Sequence, residues 1–194
     1  GVFDENRYFR PGGENPIYII NGTGVGVNIC EDIWYESGPA TAQSYAGAEV
    51  IVNISSSPYH LGKGNSRERM LAVRASDNVA IIAYNNLVGG QDELVFDGDS
   101  MILDEKGKVI ARGKQFEEDL IVADLDVESV FRTRLHDPRW RKAAPTLAEN
   151  GWPGIKIMVS AAPSEGDKPA IRKRNTRVRG IAEEVYDALV LGTR

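Results

Sequence analysis

The order of the predicted elements indicates a layered α/β domain. β-branched apolar runs alternate with helix-like segments between residues 16 and 88, and hairpin strands follow between residues 94 and 126. Alternating strands and helices followed by a β-meander are typical of this fold class. With 194 residues, the chain is also long enough to bury the core of one such domain.

The first predicted elements are a β-hairpin and a helix. The runs PIYII (16–20) and VGVNIC (25–30) are rich in strand-forming residues. Between them lies Asn21-Gly22, a dipeptide that favours a turn with positive φ angles. The alanine-rich segment 38–49 then predicts a helix.

A buried strand and a second helix come next. The run VIVNISSS (50–57) is β-branched and ends in polar residues, which predicts a buried strand. The segment 64–78 predicts a helix with Asn65 or Ser66 as its N-cap. Apolar residues at helical spacing define its buried face: Leu71, Ala75 and Val79.

The remainder of the chain predicts strands, a linker and a further helix. Strands are expected at 79–88, on both sides of the turn 104–107, and at 119–126. Residues 137–180 are rich in Pro, Gly and charge without a sustained period, so a linker of low order is expected. The segment 181–194 has apolar residues at helical spacing and predicts the first helix of another domain. Because the sequence opens on glycine and this helix has barely begun, we expect a piece of a longer polypeptide.

The composition is that of a globular protein with no sign of a nucleic-acid or membrane partner. Apolar residues make up 42% and charged residues 26% of the chain, and the net charge is −5. No basic stripe precedes the last quarter of the sequence, and no apolar run approaches the roughly 20 residues of a membrane span. A single cysteine suits a reducing compartment, so a cytoplasmic location is expected.

The stretch GVNICEDIW places the lone cysteine, Cys30, at the end of a predicted core strand. A thiolate is the reactive form of cysteine, and the start of a helical turn stabilises it. In this position the backbone N–H of Glu31 could stabilise an oxyanion formed by attack of Cys30. Residue type alone favours a small buried hydrophobe at Cys30, but Glu31 and Asp32 fit that alternative poorly.

No second motif completes a familiar catalytic set. The two histidines, His60 and His136, have no neighbour that would orient them, so a carboxylate is favoured over histidine as the base. One cysteine and two distant histidines do not match a metal motif, and no metal is expected. The hydroxyls of 55–57 and the glycines and acids of 87–100 suit either a ligand-binding loop or ordinary turns.

Five segments of the sequence are distinctive in combination: GVFDENRYF, GVNICEDIW, VNISSSPYH, GGQDELVFDGDS and EEVYDALVLG. Together they resemble the nitrilase, or carbon–nitrogen hydrolase, superfamily, and especially the glutamine amidohydrolase domain of glutamine-dependent NAD+ synthetases. For residues 1–136 the resemblance implies a partial nitrilase-type α-β-β-α sandwich, the C-terminal part of the amidohydrolase domain. A linker at 137–180 and the start of the synthetase domain at 181–194 would follow.

The resemblance also implies roles for individual residues. In this family a Glu–Lys–Cys triad hydrolyses the side-chain amide of glutamine through a thioester. Cys30 would be the nucleophile, and the N–H of Glu31 would belong to the oxyanion hole. Glu5 matches an additional glutamate that many nitrilases carry in the loop after the triad lysine. Trp34 and Ser57 match positions near the glutamine pocket.

The implied partners are glutamine and a synthetase domain of the same polypeptide. Ammonia would pass through a tunnel to that domain and convert nicotinic acid adenine dinucleotide, activated by ATP, to NAD+. ATP and Mg would bind in the synthetase domain, and no cofactor is expected in the present residues. The implied enzyme is therefore a glutamine-hydrolysing NAD+ synthase.

The sequence departs from the family in one important respect. The base glutamate and the lysine of the triad lie upstream of GVFDE in this family, so both are expected outside the present residues. Without them Cys30 should stay mostly a thiol at neutral pH, and one lost oxyanion donor alone costs on the order of 10²–10³ in rate. We therefore expect little catalysis from this chain alone. Exposed sheet edges and apolar faces would also favour a homo-oligomer.

Two alternative functions remain open at the level of sequence. The chain could belong to another nitrilase-type amidase or carbamoylase whose substrate is not glutamine. It could also be a non-catalytic scaffold that only binds partners. The segment EEVYDALVLG favours the synthetase, because an amidase that acts alone has no use for a linker and a second-domain helix.

Overall fold

The structure, a computed structural model, describes residues 7–138, 140, 142, 155–161, 171, 174 and 176–194. Its strands are β1 (Ile17–Ile20), β2 (Thr23–Ile29), β3 (Val50–Ser55), β4 (Ile81–Asn86), β5 (Val88–Gln91), β6 (Leu94–Asp97), β7 (Met101–Leu103), β8 (Val109–Arg112) and β9 (Lys156–Met158). Its helices are α1 (Pro39–Tyr45), α2 (Lys63–Asn78), α3 (Val127–His136) and α4 (Ile181–Gly192), and a 3-10 turn (Cys30–Trp34) follows β2 directly. Among the helices described, none has the length and apolar character needed to cross a membrane.

Seven strands form one mixed sheet in the order β8-β7-β4-β3-β2-β1-β9. The central strands β2, β3 and β4 are parallel, so their carboxyl ends lie at one edge of the sheet. Strands β1 and β7 pair antiparallel with β2 and β4. Strands β5 and β6 form a separate hairpin directly after β4.

The main core lies between this sheet and the helices α1 and α2. Ile51 of β3 and Leu71 and Ala75 of α2 are at most 1% exposed and belong to one apolar cluster. Burial of a side chain of the size of Leu71 stabilises the fold by about 1.5–3 kcal/mol. The apolar face predicted for α2 is therefore confirmed at Leu71 and Ala75, whereas Val79, although buried, lies just past the end of the helix.

The opposite face of the sheet is covered only in part by the described residues. Val130 of α3 packs there against Val50 and Ile81. Farther along the same face Ile29 and Ile54 are 68% and 51% exposed. One helix layer and one sheet are thus present, and the second sheet face is partly open, which agrees with the predicted partial α-β-β-α sandwich.

A buried arginine anchors α3 to the helix layer. Arg134 donates hydrogen bonds to Ser44 Oγ at 3.0 Å, Ala48 O at 2.6 Å and Val79 O at 3.1 Å. The ring of Trp140 lies 4.3 Å from its guanidinium. Burial lowers the pKa of Arg134 to about 10, since few charges offset its desolvation.

The strand predicted at 119–126 is wrong. The segment keeps strand-like alternation, with Leu120 79% and Val122 55% exposed, but no described strand pairs with it. An apolar alternation forms a strand only where a neighbour supplies the ladder hydrogen bonds.

Three further differences from the predicted elements concern the start of α2, the segment 87–100 and the predicted linker. Helix α2 begins at Lys63 after Gly62, whose φ is +78°, so neither predicted N-cap is used. The hairpin β5–β6 lies in the segment 87–100, for which the sequence left a ligand-binding loop or ordinary turns open, and its strand β5 was not predicted. Strand β9 falls inside the predicted linker and pairs parallel with β1. The predicted turn at 104–107 is confirmed, with Gly107 at a φ of +82°.

Helix α4 and the residues before it dock on the β8–β6 side of the molecule. Thr176 Oγ1 donates to the Arg112 carbonyl at 2.7 Å. The backbone N–H of Arg179 donates to Gln115 Oε1, and its Nη2 donates to Gln115 O, both at 3.1 Å. Helix α4 itself packs on the β5–β6 hairpin. This docking brings a distant part of the sequence close to the candidate site.

Candidate active site

Cys30 lies at a sharp elbow where β2 gives way to the 3-10 turn. Its φ is +46°, a conformation that costs a residue other than glycine about 1–2 kcal/mol. The Asp32 carboxylate accepts a hydrogen bond from the Ile29 N–H at 2.9 Å. On the other side, Asn53 Nδ2 donates to the Cys30 carbonyl at 3.3 Å. The elbow is held from both ends, and Cys30 itself is half-buried.

The carboxyl ends of the parallel strands bring the other polar groups to this elbow. Ser57 follows β3 and is 4% exposed. Its N–H donates to Asn86 Oδ1 at 2.9 Å, at the end of β4. Ligands of open α/β sheets bind at this edge, beyond the carboxyl ends of the strands. The predicted residues Cys30 and Ser57 therefore lie at the same edge.

Lys63 is a member of the site that sequence analysis missed. It is the first residue of α2, and its Nζ lies 4.3 Å from the ring centroid of Trp34. Burial lowers the pKa of Lys63, and so does the positive charge of Arg67, whereas Asp97 and, less strongly, Cys30 act in the opposite direction. Nothing in the sequence distinguishes this lysine from a solvated residue at a helix start. Its position follows from the packing of α2 against the 3-10 turn.

Tyr84 is a second buried group near Cys30 that the sequence did not mark. It is 2% exposed, and its hydroxyl donates to Ser55 Oγ at 3.1 Å. Burial raises the pKa of Tyr84, while Arg67 and the hydrogen bonds of Ser55 and Ser57 oppose the rise. The neutral phenol is therefore available as a hydrogen-bonding group at this edge.

A fully buried ion pair lies beneath these groups. Arg67 donates to both carboxylate oxygens of Asp97, at 2.9 and 3.1 Å, and both side chains are 0% exposed. The Arg67 guanidinium lies 5.7 Å from the ring centroid of Tyr84. Burial acts to lower the pKa of Arg67, but the hydrogen bonds to Asp97 and the charges of Tyr84, Asp97 and Asp99 together outweigh it and raise the pKa. Asp99 adds a second carboxylate, held by Arg112 at 2.8 Å.

Helix α4 adds a further carboxyl group to this region. Glu184 is 8% exposed, and burial raises its pKa, followed by the charges of Asp97 and Asp99. Arg67 and His60 oppose the rise. Docking of α4 therefore favours the protonated form of Glu184.

The remaining predicted residues are not drawn together as a triad. Glu31 is exposed, and its carboxylate accepts a hydrogen bond from the Tyr35 hydroxyl at 3.1 Å. Glu5 lies outside the described residues. In the part of the chain that the structure describes, no carboxylate, imidazole or amine hydrogen-bonds to the Cys30 thiol. The roles assigned to Cys30, Glu5, Glu31, Trp34 and Ser57 thus stay predictions.

Comparison with known proteins shows one consistent similarity. Residues 1–135 match the model of the carbon–nitrogen hydrolase family. The glutamine-dependent NAD(+) synthetase of Aquifex aeolicus is 45% identical over 193 residues, which is 100% of this chain and 33% of that protein. The glutamine-dependent NAD(+) synthetase of Thermotoga maritima is 51% identical over 142 residues, 73% of this chain and 25% of that protein. The chain thus spans about a quarter to a third of the length of these curated relatives.

Solved structures agree with the sequence comparisons. A glutamine-dependent NAD+ synthetase from Acinetobacter baumannii, determined with ADP, superposes with a TM-score of 0.69 at 28% identity, over 100% of this chain and 29% of that one. An amidase from Nesterenkonia sp. AN1, whose active-site cysteine carries added acrylamide, gives a TM-score of 0.57 at 25% identity, over 68% of this chain and 52% of that one.

Proposed function

The chain belongs to the carbon–nitrogen hydrolase family, and we propose that it forms part of the glutamine-hydrolysing domain of a glutamine-dependent NAD+ synthetase. The observation that carries this proposal is the elbow at Cys30. A thiol at the carboxyl edge of a parallel sheet, in a left-handed backbone conformation, is placed to attack a ligand bound there. The similarity to glutamine-dependent NAD(+) synthetases over the whole chain favours glutamine over other amides.

The proposed reaction is acyl transfer through a thioester. The Cys30 sulfur forms a bond to the carbonyl carbon of the glutamine side chain, and the thiol proton passes to a base. Collapse of the tetrahedral intermediate breaks the C–N bond, and the leaving nitrogen takes a proton and departs as ammonia. Water then hydrolyses the thioester to glutamate. The N–H of Glu31 is proposed as an oxyanion donor, since Glu31 directly follows Cys30 in the first turn of the 3-10 segment.

The proposed base is a carboxylate outside the present sequence. The Cys30 thiol has no hydrogen-bonded base among the described residues. The resemblance to the nitrilase superfamily supplies a glutamate and a lysine upstream of residue 1. Glu5 is proposed as the additional glutamate of that family.

Lys63 and Trp34 are proposed to bind the amino-acid end of the substrate. Glutamine carries a carboxylate at the end remote from the scissile amide. The Lys63 ammonium, held 4.3 Å above the ring of Trp34, is a cation that can pair with that carboxylate. Ser57, buried at the adjacent strand end, is proposed to hydrogen-bond the substrate.

Ammonia release is proposed to serve a synthetase domain of the same polypeptide. That domain would use ATP and Mg to amidate nicotinic acid adenine dinucleotide to NAD+, and α4 would be its first helix. Docking of α4 on the β5–β6 hairpin supports close association of the two parts. A cytoplasmic location and a homo-oligomer are proposed with it.

The proposed function is tested in the full-length polypeptide with the Cys30→Ala variant. We expect loss of glutamine-dependent NAD+ formation and retention of ammonia-dependent NAD+ formation. Unchanged glutamine-dependent activity would refute the assignment of Cys30.

The Lys63→Met variant tests whether Lys63 distinguishes glutamine from amides that lack its carboxylate. It should raise KM for glutamine and leave hydrolysis of propionamide, which lacks the carboxylate, unchanged. Hydrolysis of propionamide in preference to glutamine by the unaltered enzyme would instead favour an amidase of another specificity.

A further inference from the structure

Three side-chain amides lie in a row in the interior beneath Cys30. Asn28 and Asn53 occupy matching positions of the parallel strands β2 and β3, and Gln43 comes from α1. The three residues are 3%, 0% and 1% exposed. Asparagine is disfavoured within strands, and a buried amide is costly unless it is hydrogen-bonded. Packing alone therefore does not explain why three side-chain amides are buried here.

The three amides donate their hydrogen bonds in one direction. Asn53 Nδ2 donates to the Cys30 carbonyl at 3.3 Å and to Asn28 Oδ1 at 2.7 Å. Asn28 Nδ2 donates to Gln43 Oε1 at 3.4 Å, and Gln43 Nε2 donates to the Val27 carbonyl at 2.9 Å. The row thus begins and ends on backbone carbonyls that flank the junction of β2 and the 3-10 turn. It ties the carbonyl of Cys30 to the rigid centre of the sheet.

The partners of Asn53 fix the orientation of its amide. Rotation by half a turn would place Oδ1 against two oxygen acceptors, the Cys30 carbonyl and Asn28 Oδ1. In the observed orientation Asn53 Oδ1 is buried and accepts no hydrogen bond from the residues that the structure describes. An unsatisfied buried acceptor is destabilising, so the contact with Cys30 is kept at a cost to the fold. Such costs are typical of functional sites.

We propose that Asn53 is a positioning residue for the Cys30 nucleophile, an inference that rests on the proposed function. Asn53 Nδ2 holds the Cys30 carbonyl, while Asp32 holds the N–H of the preceding residue at 2.9 Å. Together these contacts hold the backbone of Cys30 at its φ of +46°. Without Asn53 the elbow relaxes toward ordinary backbone angles, and the sulfur moves relative to the N–H groups of the 3-10 turn.

Room for the amide row depends on Gly26. A Cβ at this position would lie 2.7 Å from Gln43 Oε1 and 2.9 Å from Gln43 Cδ. Gly26 is two residues before Asn28 and therefore on the same side of β2. A Gly26→Ala substitution would disturb the far end of the row without touching Cys30.

The test measures the chemistry of Cys30, the only cysteine of the chain. The second-order rate constant of alkylation by iodoacetamide is followed across the pH range in which thiols titrate. The variants are Asn53→Ala, the less disruptive Asn53→Ser, and Asn78→Ala as a matched control. Asn78 is 3% exposed, and its Nδ2 donates to the Arg74 carbonyl at 2.9 Å, away from Cys30. Urea unfolding of each variant measures the accompanying loss of stability.

The expected result separates positioning from stability. Both Asn53 variants should lower the rate of alkylation at neutral pH by about tenfold, because the sulfur is no longer held in one position. Gly26→Ala should cause a smaller change in the same direction. Asn78→Ala should lose comparable stability without changing the alkylation profile.

Two results would overturn the inference. One is an alkylation profile in a folded Asn53 variant that matches the unaltered chain. The other, decisive if no Asn53 variant folds, is a crystal structure of the unaltered chain with Asn53 Nδ2 outside hydrogen-bonding distance of the Cys30 carbonyl. Alkylation needs no glutamine, so these results are independent of the Cys30→Ala test of the proposed function.

Discussion

Substitution of Asp97 by Asn tests how much the buried ion pair of Arg67 and Asp97 stabilises the fold beneath the candidate site. Arg67 and Asp97 are both 0% exposed and make two parallel hydrogen bonds, at 2.9 and 3.1 Å. The asparagine keeps the shape of the side chain but removes the negative charge. Among the described residues, the carboxylate that remains beside Arg67 is then Asp99, whose Oδ2 lies 3.8 Å from Arg67 Nη1.

The magnitude follows from the burial of both groups. A charge left without its partner in the interior destabilises a protein by about 3–5 kcal/mol. For a chain of this size, that loss lowers Tm by about 6–20 °C, at roughly 2–4 °C per kcal/mol. Removal of both charges in the double variant Arg67→Met/Asp97→Leu should cost less than Asp97→Asn alone, because no unpaired charge remains.

The assay is urea unfolding followed by circular dichroism, with a surface ion pair as the matched control. Arg132 and Asp126 lie 2.7 Å apart, and their side chains are 55% and 64% exposed. The Arg132→Gln variant should therefore lose at most about 1 kcal/mol, since solvent screens an exposed pair. A loss in Asp97→Asn no larger than that of the control would refute the reasoning that desolvation makes this pair indispensable.

Four further substitutions have defined expected outcomes. Gly107→Ala should cost about 2–3 kcal/mol, because φ is +82° and the new Cβ would lie 2.5 Å from the Ala72 carbonyl oxygen. Gly22→Ala, with a φ of +83° and open space around it, should cost only the conformational part, about 1–2 kcal/mol. Arg134→Met should cost about 2 kcal/mol in urea unfolding, because three oxygen acceptors lose their donor. Docking of α4 should weaken as pH rises, and Glu184→Gln should abolish this dependence, measured by hydrogen exchange of the α4 amides.

The sign of the pH effect follows from the raised pKa of Glu184. A carboxyl group whose pKa is raised by docking stabilises the docked state fully below its ordinary value, 4.5, and this contribution is lost as pH rises through the raised value. Exchange in α3, corrected for the intrinsic effect of pH, serves as the internal reference. Equal pH dependence of α4 in the unaltered chain and in Glu184→Gln would contradict the assignment.

Equal losses in the two glycine variants would show that the contact with Ala72 is unimportant. An Arg134→Met variant as stable as the unaltered chain would show that water replaces the guanidinium as donor. Either result would exclude one proposed cause of stability, and the remaining predictions would stand.

Local sequence was sufficient for much of the central sheet. The Asn21-Gly22 turn, the strands around it and the apolar face of α2 follow from residues close to one another in the chain, and the structure contains them. The elbow at Cys30 was also predictable, since a strand-forming run ends there and acids follow at once. Local propensity failed at 119–126, where the pattern of a strand is present without a partner strand.

The sequence by itself determined the strands β1 to β4, the helices α1 and α2 between them and the position of the lone cysteine at a strand end, because periodicity and turn chemistry act over a few residues. Only the tertiary structure decided what surrounds that cysteine. Arg67 and Asp97 are 30 residues apart and meet in the interior, and Asn28 and Asn53 meet because β2 and β3 are parallel neighbours. Polar residues of this kind are ordinary surface residues in sequence. They become a site only where burial removes water and obliges them to bond to one another.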